Sequence, residues 1–259
     1  MLVISSWNVN SINAHLEQVL NWSNECKPDI LLLQETKCED IKFPYQYFEK
    51  YNISHNGQKT YNGVAVLSKF PLEDIVLNFT GNPCPEQSRF IQTNINSPLG
   101  LIRVISIYVP NGSELDCDKF KIKLSFLKQI NRYLKNLETD IPTIIGGDFN
   151  VAPFNIDVYG PEELNGQLLF SSQEKSLMRQ ILSNNFFDLY RLQNQQLQEF
   201  SWWDYRAGAF QKNQGCRIDF LLANPKMCNM LKGASIDTKT RGYSGKNSDH
   251  VPVSATFCL

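Results

Sequence analysis

The sequence predicts an α/β fold: a mixed-sheet β-sandwich with helices packed outside it. Short apolar runs of strand length alternate with segments of helical periodicity, so sheets and helices must pack as layers around shared cores. Some strand-like runs also follow one another directly, as Phe90 to Asn96 and Leu101 to Tyr108 do, so antiparallel hairpins are mixed with crossovers. No linker-like, low-complexity or Pro/Gly-rich stretch divides the 259 residues and no internal repeat is visible, so residues 1–259 read as a single domain.

Each element has its own signal. Leu2 to Asn8 reads as a strand, and Ser11 stands where it can cap a helix carrying Ile12, Leu16, Val19 and Leu20 on one stripe. Lys27-Pro28 stops that helix. Asp29 to Glu35 is an apolar run of buried-strand type, and Gly63 to Ser68, Phe90 to Asn96 and Leu101 to Tyr108 are strands rich in Val, Ile and aromatic residues. The most regular helix spans Asp116 to Leu137, with Phe120, Leu124, Leu127, Ile130, Leu134 and Leu137 on its apolar stripe. Lys119, Lys121, Lys128, Arg132 and Lys135 lie off that stripe as a solvated face. A strand from Thr143 ends at Asp148, a polar loop runs to Ser171, and a shorter helix follows with Leu177, Met178, Ile181 and Leu182. Phe200 to Tyr205, Arg217 to Ala223, Ala234 to Thr238 and Val251 to Phe257 are strand-like again.

Composition narrows the class without choosing a partner. A 42% hydrophobic and 20% charged chain has the makings of an ordinary globular core. Lys plus Arg total 25 against 26 Asp plus Glu, so the net charge of −1 gives no global sign of a polyanion partner and leaves room for a local basic rim beside an acidic site. The seven cysteines are scattered and include no Cys-x-x-Cys pair, which excludes the common zinc and dithiol motifs and suggests reduced thiols. The N-terminus lacks a basic leader with a long apolar run, and no stretch approaches a membrane span. A soluble cytoplasmic protein is therefore expected.

The chemistry gathers at strand ends. In Gly147-Asp148-Phe149-Asn150, strand alternation puts Asp148 and Asn150 on one face and turns Phe149 toward the core. Polar groups end five further strands: Asn8 with Asn10, Glu35, Tyr108, Asp219, and Asp249 with His250. Ligands of open α/β sheets bind outside the carboxyl ends of strands, so these groups are candidates for one crevice. Carboxylates with Asn and one His suit a hard cation with oxygen ligands, such as Mg²⁺, and a phosphate ester beside it. Asp219 lies within the apolar run Arg217 to Leu222 and needs a partner, with Arg217 and His250 both candidates. His250 differs from His15 and His55 because Asp249 adjoins it and Pro252 stiffens its turn.

Taken together, Trp7-Asn8-Val9-Asn10, Gln34-Glu35-Thr36-Lys37, Tyr61-Asn62-Gly63-Val64-Ala65, Tyr108-Val109-Pro110-Asn111-Gly112, Gly147-Asp148-Phe149-Asn150, Trp202-Trp203-Asp204-Tyr205-Arg206, Arg217-Ile218-Asp219 and Ser248-Asp249-His250-Val251-Pro252 resemble, in this order, the motifs of exonuclease III. That is the bacterial branch of the class II apurinic/apyrimidinic (AP) endonucleases, within the endonuclease/exonuclease/phosphatase superfamily; the loop His55 to Lys59 also looks bacterial. The resemblance runs from residue 3 to 257 and implies a four-layer α/β sandwich and a monomer. It implies an Mg²⁺-dependent hydrolase, with Mn²⁺ as the alternative metal. The substrate would be double-stranded DNA, cut 5′ to abasic sites and trimmed of nucleotides or blocking groups at 3′ ends.

The same resemblance assigns roles. Glu35 is expected to be the main metal ligand, with Asn8, Asn10 and Asp249 near the metal. Asp219 would orient His250, Asp148 would position and activate water with Asn150 beside it, and Tyr108 and Asn111 would bind phosphate oxygens. Trp202 would wall a pocket for a base-free sugar with Ile218 nearby, Trp203 would be core, and Arg89 and Lys59 would meet the DNA backbone. Two positions depart from the family pattern: Ser11 where Gly is usual, and Cys216 where a bulky pocket wall is usual. Tyr108 and the Trp202 to Arg206 block weigh against a phosphatase or sphingomyelinase relative, and the intact acidic and His set weighs against a silent binding protein.

Overall fold

The computed structural model describes residues 1–259 and assembles twelve strands into two six-stranded sheets. One sheet contains β1 (Leu2–Asn8), β2 (Ile30–Gln34), β3 (Asn52–Asn56), β4 (Val64–Ser68), β11 (Leu231–Ile236) and β12 (Val253–Phe257), in the order β11-β12-β1-β2-β4-β3. The other contains β5 (Leu72–Val76), β6 (Phe90–Ser97), β7 (Gly100–Tyr108), β8 (Thr143–Asp148), β9 (Phe187–Asp188) and β10 (Asp219–Ala223), in the order β5-β6-β7-β8-β10-β9. Each sheet has one parallel pair at its centre, β1 with β2 and β7 with β8. A parallel pair needs a crossover, supplied by α1 (Leu16–Cys26) in one sheet and α2 (Asp118–Lys135) in the other.

The register decides where the polar ends fall. Asn8 pairs with Gln34 and Tyr108 with Asp148, so both parallel pairs finish level at their carboxyl ends. The antiparallel neighbours start there: Asp219 opposes Asp148, and Val253 opposes Ser6. Strand ends of both sheets and the turn before β12 therefore open on the same edge of the sandwich.

Apolar faces explain the layers. Ile4, Leu32, Val66, Val104, Ile144 and Phe257 are fully buried between the sheets. On the outer face of the first sheet Trp22 of α1 covers Leu31 and Leu33, and on that of the second α2 and α4 (Ser172–Ser183) cover Ile105, Ile145 and Phe220. Short helices α3 (Pro161–Leu164), α5 (Leu189–Gln193) and α6 (Pro225–Cys228) fill the connections. The mixed sandwich with outer helices is the predicted architecture. No helix is long and apolar enough to cross a membrane.

Several local expectations are corrected. The first helix starts at Leu16, not after Ser11, because Ser11 takes φ 91 and its hydroxyl accepts only the Ala14 N–H at 3.3 Å. Phe200 to Tyr205 is not a continuous strand: Trp202 makes isolated bridges to Cys216 and His250, and only scattered main-chain bonds tie its neighbours. β3 and β5 are additional, and as edge strands with mostly exposed or half-buried residues they need no continuous apolar pattern.

Candidate active site

Left-handed backbone turns aim the site residues. Just past their strands Asn10 (φ 43), Glu35 (φ 51), Lys37 (φ 52) and Asn150 (φ 51) all occupy the region that favours glycine, which costs roughly 1–3 kcal/mol per residue and must be held by surrounding contacts. Those contacts are the site itself. Asn8 donates from Nδ2 to Glu35 Oε1 at 2.8 Å and to Asp148 Oδ2 at 2.9 Å, joining the two sheets through one amide. Its Oδ1 accepts the Asn10 N–H at 3.0 Å.

Asp148 is buried and tightly held. Its Oδ1 accepts the Asn150 N–H at 2.8 Å, and Oδ2 accepts Asn150 Nδ2 at 3.2 Å. Asn150 Nδ2 also reaches the Val109 carbonyl at 2.9 Å, and Asn111 Nδ2 donates to Asn150 Oδ1 at 3.2 Å. His250 Nδ1 lies 2.8 Å from Asp219 Oδ2, while its Nε2 faces Asp148 Oδ2 at 3.8 Å. Asp219 is therefore partnered by His250, because Arg217 turns away to Asp157 at 2.8 Å and Asp188 at 2.7 Å.

Charge states follow from burial and neighbours. Burial opposes the His250 imidazolium, but the Asp219 and Asp148 carboxylates override it and raise His250 to about 10. Burial raises Asp148 to about 7 against the pull of His250, with Asp219 and Glu35 adding repulsion. Burial also acts on Glu35, yet Lys37 at 2.7 Å and the Asn8 amide hold its carboxyl below the usual range. The Tyr108 phenol is pushed well above its ordinary value by burial and by Glu35 and Asp148, so it stays a proton donor.

One atom each of Glu35, Asp148 and His250 lie within 4.8 Å of one another, a cluster of the size that holds a cation. Asp219 Oδ1 is buried without a hydrogen-bond partner in the same region. Two of the three ligand atoms are carboxylate oxygens, so the set suits a hard divalent cation, with Glu35 among the residues able to hold it. Asn10 and Asp249 sit to one side: Asn10 Nδ2 donates to Asp249 Oδ1 at 2.9 Å, and Trp202 Nε1 donates to Asp249 Oδ2 at 3.0 Å. Lys37 bonds both Glu35 and Asn10 Oδ1, so these groups form one chain from Trp202 to Glu35.

A cleft of about 530 Å³ adjoins Glu35 and Tyr108 and is lined by Lys37, Tyr61, Arg89, Asn111 and Lys119 among others. Arg89 stacks over the Tyr108 ring at 4.6 Å. Ile218 is buried beneath Trp202, in a small cluster with Val158, Phe170 and Cys216. Lys59 is exposed on the β3–β4 loop and does not line this cleft.

A sequence model of the endonuclease/exonuclease/phosphatase family matches residues 5–239. The chain belongs to that family. Within it, the chain is 32% identical to the exodeoxyribonuclease III of Haemophilus influenzae, over 97% of this chain and 98% of that one. An AP endonuclease from Archaeoglobus fulgidus superposes with a TM-score of 0.93 at 34% identity, with all of both chains covered. A 3′-5′ exonuclease from Neisseria meningitidis does so with a TM-score of 0.94 at 35% identity, again over the whole of both chains. A Neisseria 3′ phosphatase bound to a product DNA hairpin gives 0.95 at 34% over the same coverage.

In this member of the family several supporting residues escape sequence reasoning. Ser201 Oγ donates to Asp219 Oδ2 at 2.6 Å and accepts the Ile218 and Asp219 N–H groups at 3.0 Å, clamping the carboxylate that orients His250. Ser248 Oγ donates to the Asn8 carbonyl at 2.8 Å and accepts the His250 N–H at 3.2 Å. Lys37 and Ser248 lie inside the quoted motifs, which is the signal that could have found them. Ser201 has only its place beside Trp202.

Proposed function

We propose that the protein is an Mg²⁺-dependent DNA repair phosphodiesterase of exonuclease III type. On this reading it hydrolyses the backbone 5′ to abasic sites and removes nucleotides or blocking groups from 3′ ends of duplex DNA. The observation that carries it is the Asp219–His250 pair facing Asp148 beside Glu35, a buried acid–base array next to the cleft at Glu35 and Tyr108. The DNA substrates come from relatives: similar proteins include an AP endonuclease, an exonuclease and a 3′ phosphatase bound to a product DNA hairpin.

In this reading Asn150 and Asp148 orient a water for in-line attack, and the Asp148 carboxylate takes its proton as a general base. The His250 imidazolium, fixed by Asp219, and the neutral Tyr108 phenol donate to phosphate oxygens where negative charge builds up. Asn111 contributes another donor. Held by Glu35 and Asn8, Mg²⁺ would supply electrostatic stabilisation of the leaving 3′ oxygen. Trp202 walls the space for a sugar turned out of the duplex, which is easiest where the base is already missing.

A labelled duplex with one tetrahydrofuran abasic analogue tests the reading. Expected is a cut on the 5′ side leaving a 3′-hydroxyl, with the cut abolished by EDTA. Cleavage 3′ of the lesion by elimination, or full activity in EDTA, overturns it.

A further inference from the structure

Lys123 has no access to solvent, although α2 presents Lys119, Lys121 and Lys128 at its surface. It lies on the buried stripe with Phe120, Leu127, Ile130 and Leu134. A buried ammonium is costly unless each of its protons finds an acceptor. All three do. Nζ donates to the main-chain carbonyl of Asn150 at 2.7 Å, to that of Asn111 at 3.0 Å, and to the Glu174 carboxylate on α4.

Glu174 is equally buried and is itself pinned, because its oxygens accept the Leu169 N–H at 3.1 Å and the Ser171 N–H at 3.0 Å. A buried ion pair is weak evidence for stability, since apolar side chains of similar volume often serve as well. What this pair does that apolar side chains cannot is grip two peptide carbonyls. Those carbonyls belong to the loops after β7 and β8, whose Asn111 and Asn150 side chains bond each other at 3.2 Å. Asn150 is also the left-handed residue whose N–H and Nδ2 both reach Asp148.

We propose that Lys123 is a positioning residue for the reaction: anchored by Glu174, it holds the Asn150 peptide in its left-handed turn and thereby fixes the orientation of Asp148. The proposal rests on the hydrolase reading of the site. Lys123 touches neither substrate nor metal, and acts only through the Asn150 and Asn111 carbonyls. The outer helices α2 and α4 thus have a direct mechanical link to the reaction centre.

The experiment uses the full chain with Lys123→Met plus Glu174→Gln, which removes both charges together, and separately Lys123→Gln, which keeps one donor near the Asn150 carbonyl. Each is read by a thermal melt, by amide exchange at Asn150, and by kcat and KM on the abasic duplex. Expected in whichever variant melts near the parent are faster exchange at Asn150 and a kcat lower by about 10- to 100-fold, the scale of a small misplacement of reacting groups. KM should change little. An unchanged kcat and exchange in a folded variant overturns the proposal. A parent protein that cleaves no DNA sinks the hydrolase reading instead, and exchange at Asn150 then still decides whether Lys123 holds this turn.

Discussion

On the proposed reading, Asp148 and His250 divide the acid and base duties by environment. With His250 raised to about 10 and Asp148 to about 7, the proton resides on the imidazole between those values while the carboxylate is free to accept one. Activity should therefore fall as pH drops through about 7, where Asp148 protonates, and fall again as pH rises through about 10, where His250 loses its charge. Raising Mg²⁺ should move the acid limb to lower pH, because a neighbouring cation favours the carboxylate form. Asp148→Asn and His250→Asn should each lower kcat by roughly two orders of magnitude or more with duplex affinity nearly unchanged. Near-normal single-turnover rates in either variant would remove its role. On the same reading the paired tryptophans separate function from packing. Trp202 is half-buried with its indole on Asp249, and Trp203 is buried against Phe200 and Phe210. Trp202→Ala should weaken discrimination between abasic and intact duplex by about 1–3 kcal/mol, and Trp203→Ala should cost roughly 3–5 kcal/mol of stability. Cleavage rates and melts of both variants check this, and reversed outcomes would reverse the assignment. At this scale the residues that the fold gathers around Asp148 and His250 were legible because each sits at a strand end or in a motif. Ser201 and Lys123 were not, since a hydrogen bond between residues distant in sequence leaves no periodic trace, although a lysine on an apolar stripe is a signal that could have been weighed.

Strand β8 shows what an element demands beyond its apolar pattern. Gly146 lies where the sheets approach, and a Cβ there would stand 2.5 Å from Leu32 Cδ1 and 3.0 Å from Ser6 Cβ. At Gly147 a Cβ would fall 2.0 Å from the carbonyl oxygen of Ile107 on the paired strand. Side chains at the first position can yield, but the backbone at the second cannot. Gly147→Ala should accordingly be the more damaging change, costing about 1–3 kcal/mol or more as overpacking does and lowering turnover by displacing Asp148 next to it. Urea melts and rates of the two variants decide the matter, and a Gly147→Ala protein with parental stability would contradict the close approach. The sequence marked this strand end through its two glycines. It did not reveal β3 and β5, whose edge positions relax the pattern, nor the true nature of Phe200 to Tyr205, where aromatic density imitated a strand.

On the scale of the whole molecule, the two sheets repeat one arrangement: a central parallel pair joined through an outer helix, with antiparallel neighbours on both sides. No repeat in the residues announced this, because each sheet packs its own side chains and only the strand directions recur. The consequence is that the site straddles both halves. Asn8 and Glu35 come from the first sheet, Asp148 and Asp219 from the second, and His250 from the turn before β12. Glu35 on the first sheet adds repulsion at Asp148 on the second, so on the proposed reading a bound Mg²⁺ should brace the sandwich as well as serve the reaction. A ligand that binds only the folded state stabilises it by about 2.7 kcal/mol at one hundred times its dissociation constant, and each kcal/mol raises the melting temperature of a chain this size by roughly 2–4 °C. Melts in EDTA and across an Mg²⁺ series should therefore show a rise that depends on Mg²⁺ concentration in the parent. Glu35→Gln removes a charged holder while leaving both sheets packed, and its melt should rise far less over the same series. A parent melt indifferent to Mg²⁺, or a Glu35→Gln protein that responds as the parent does, would mean that the cation is not held at this junction.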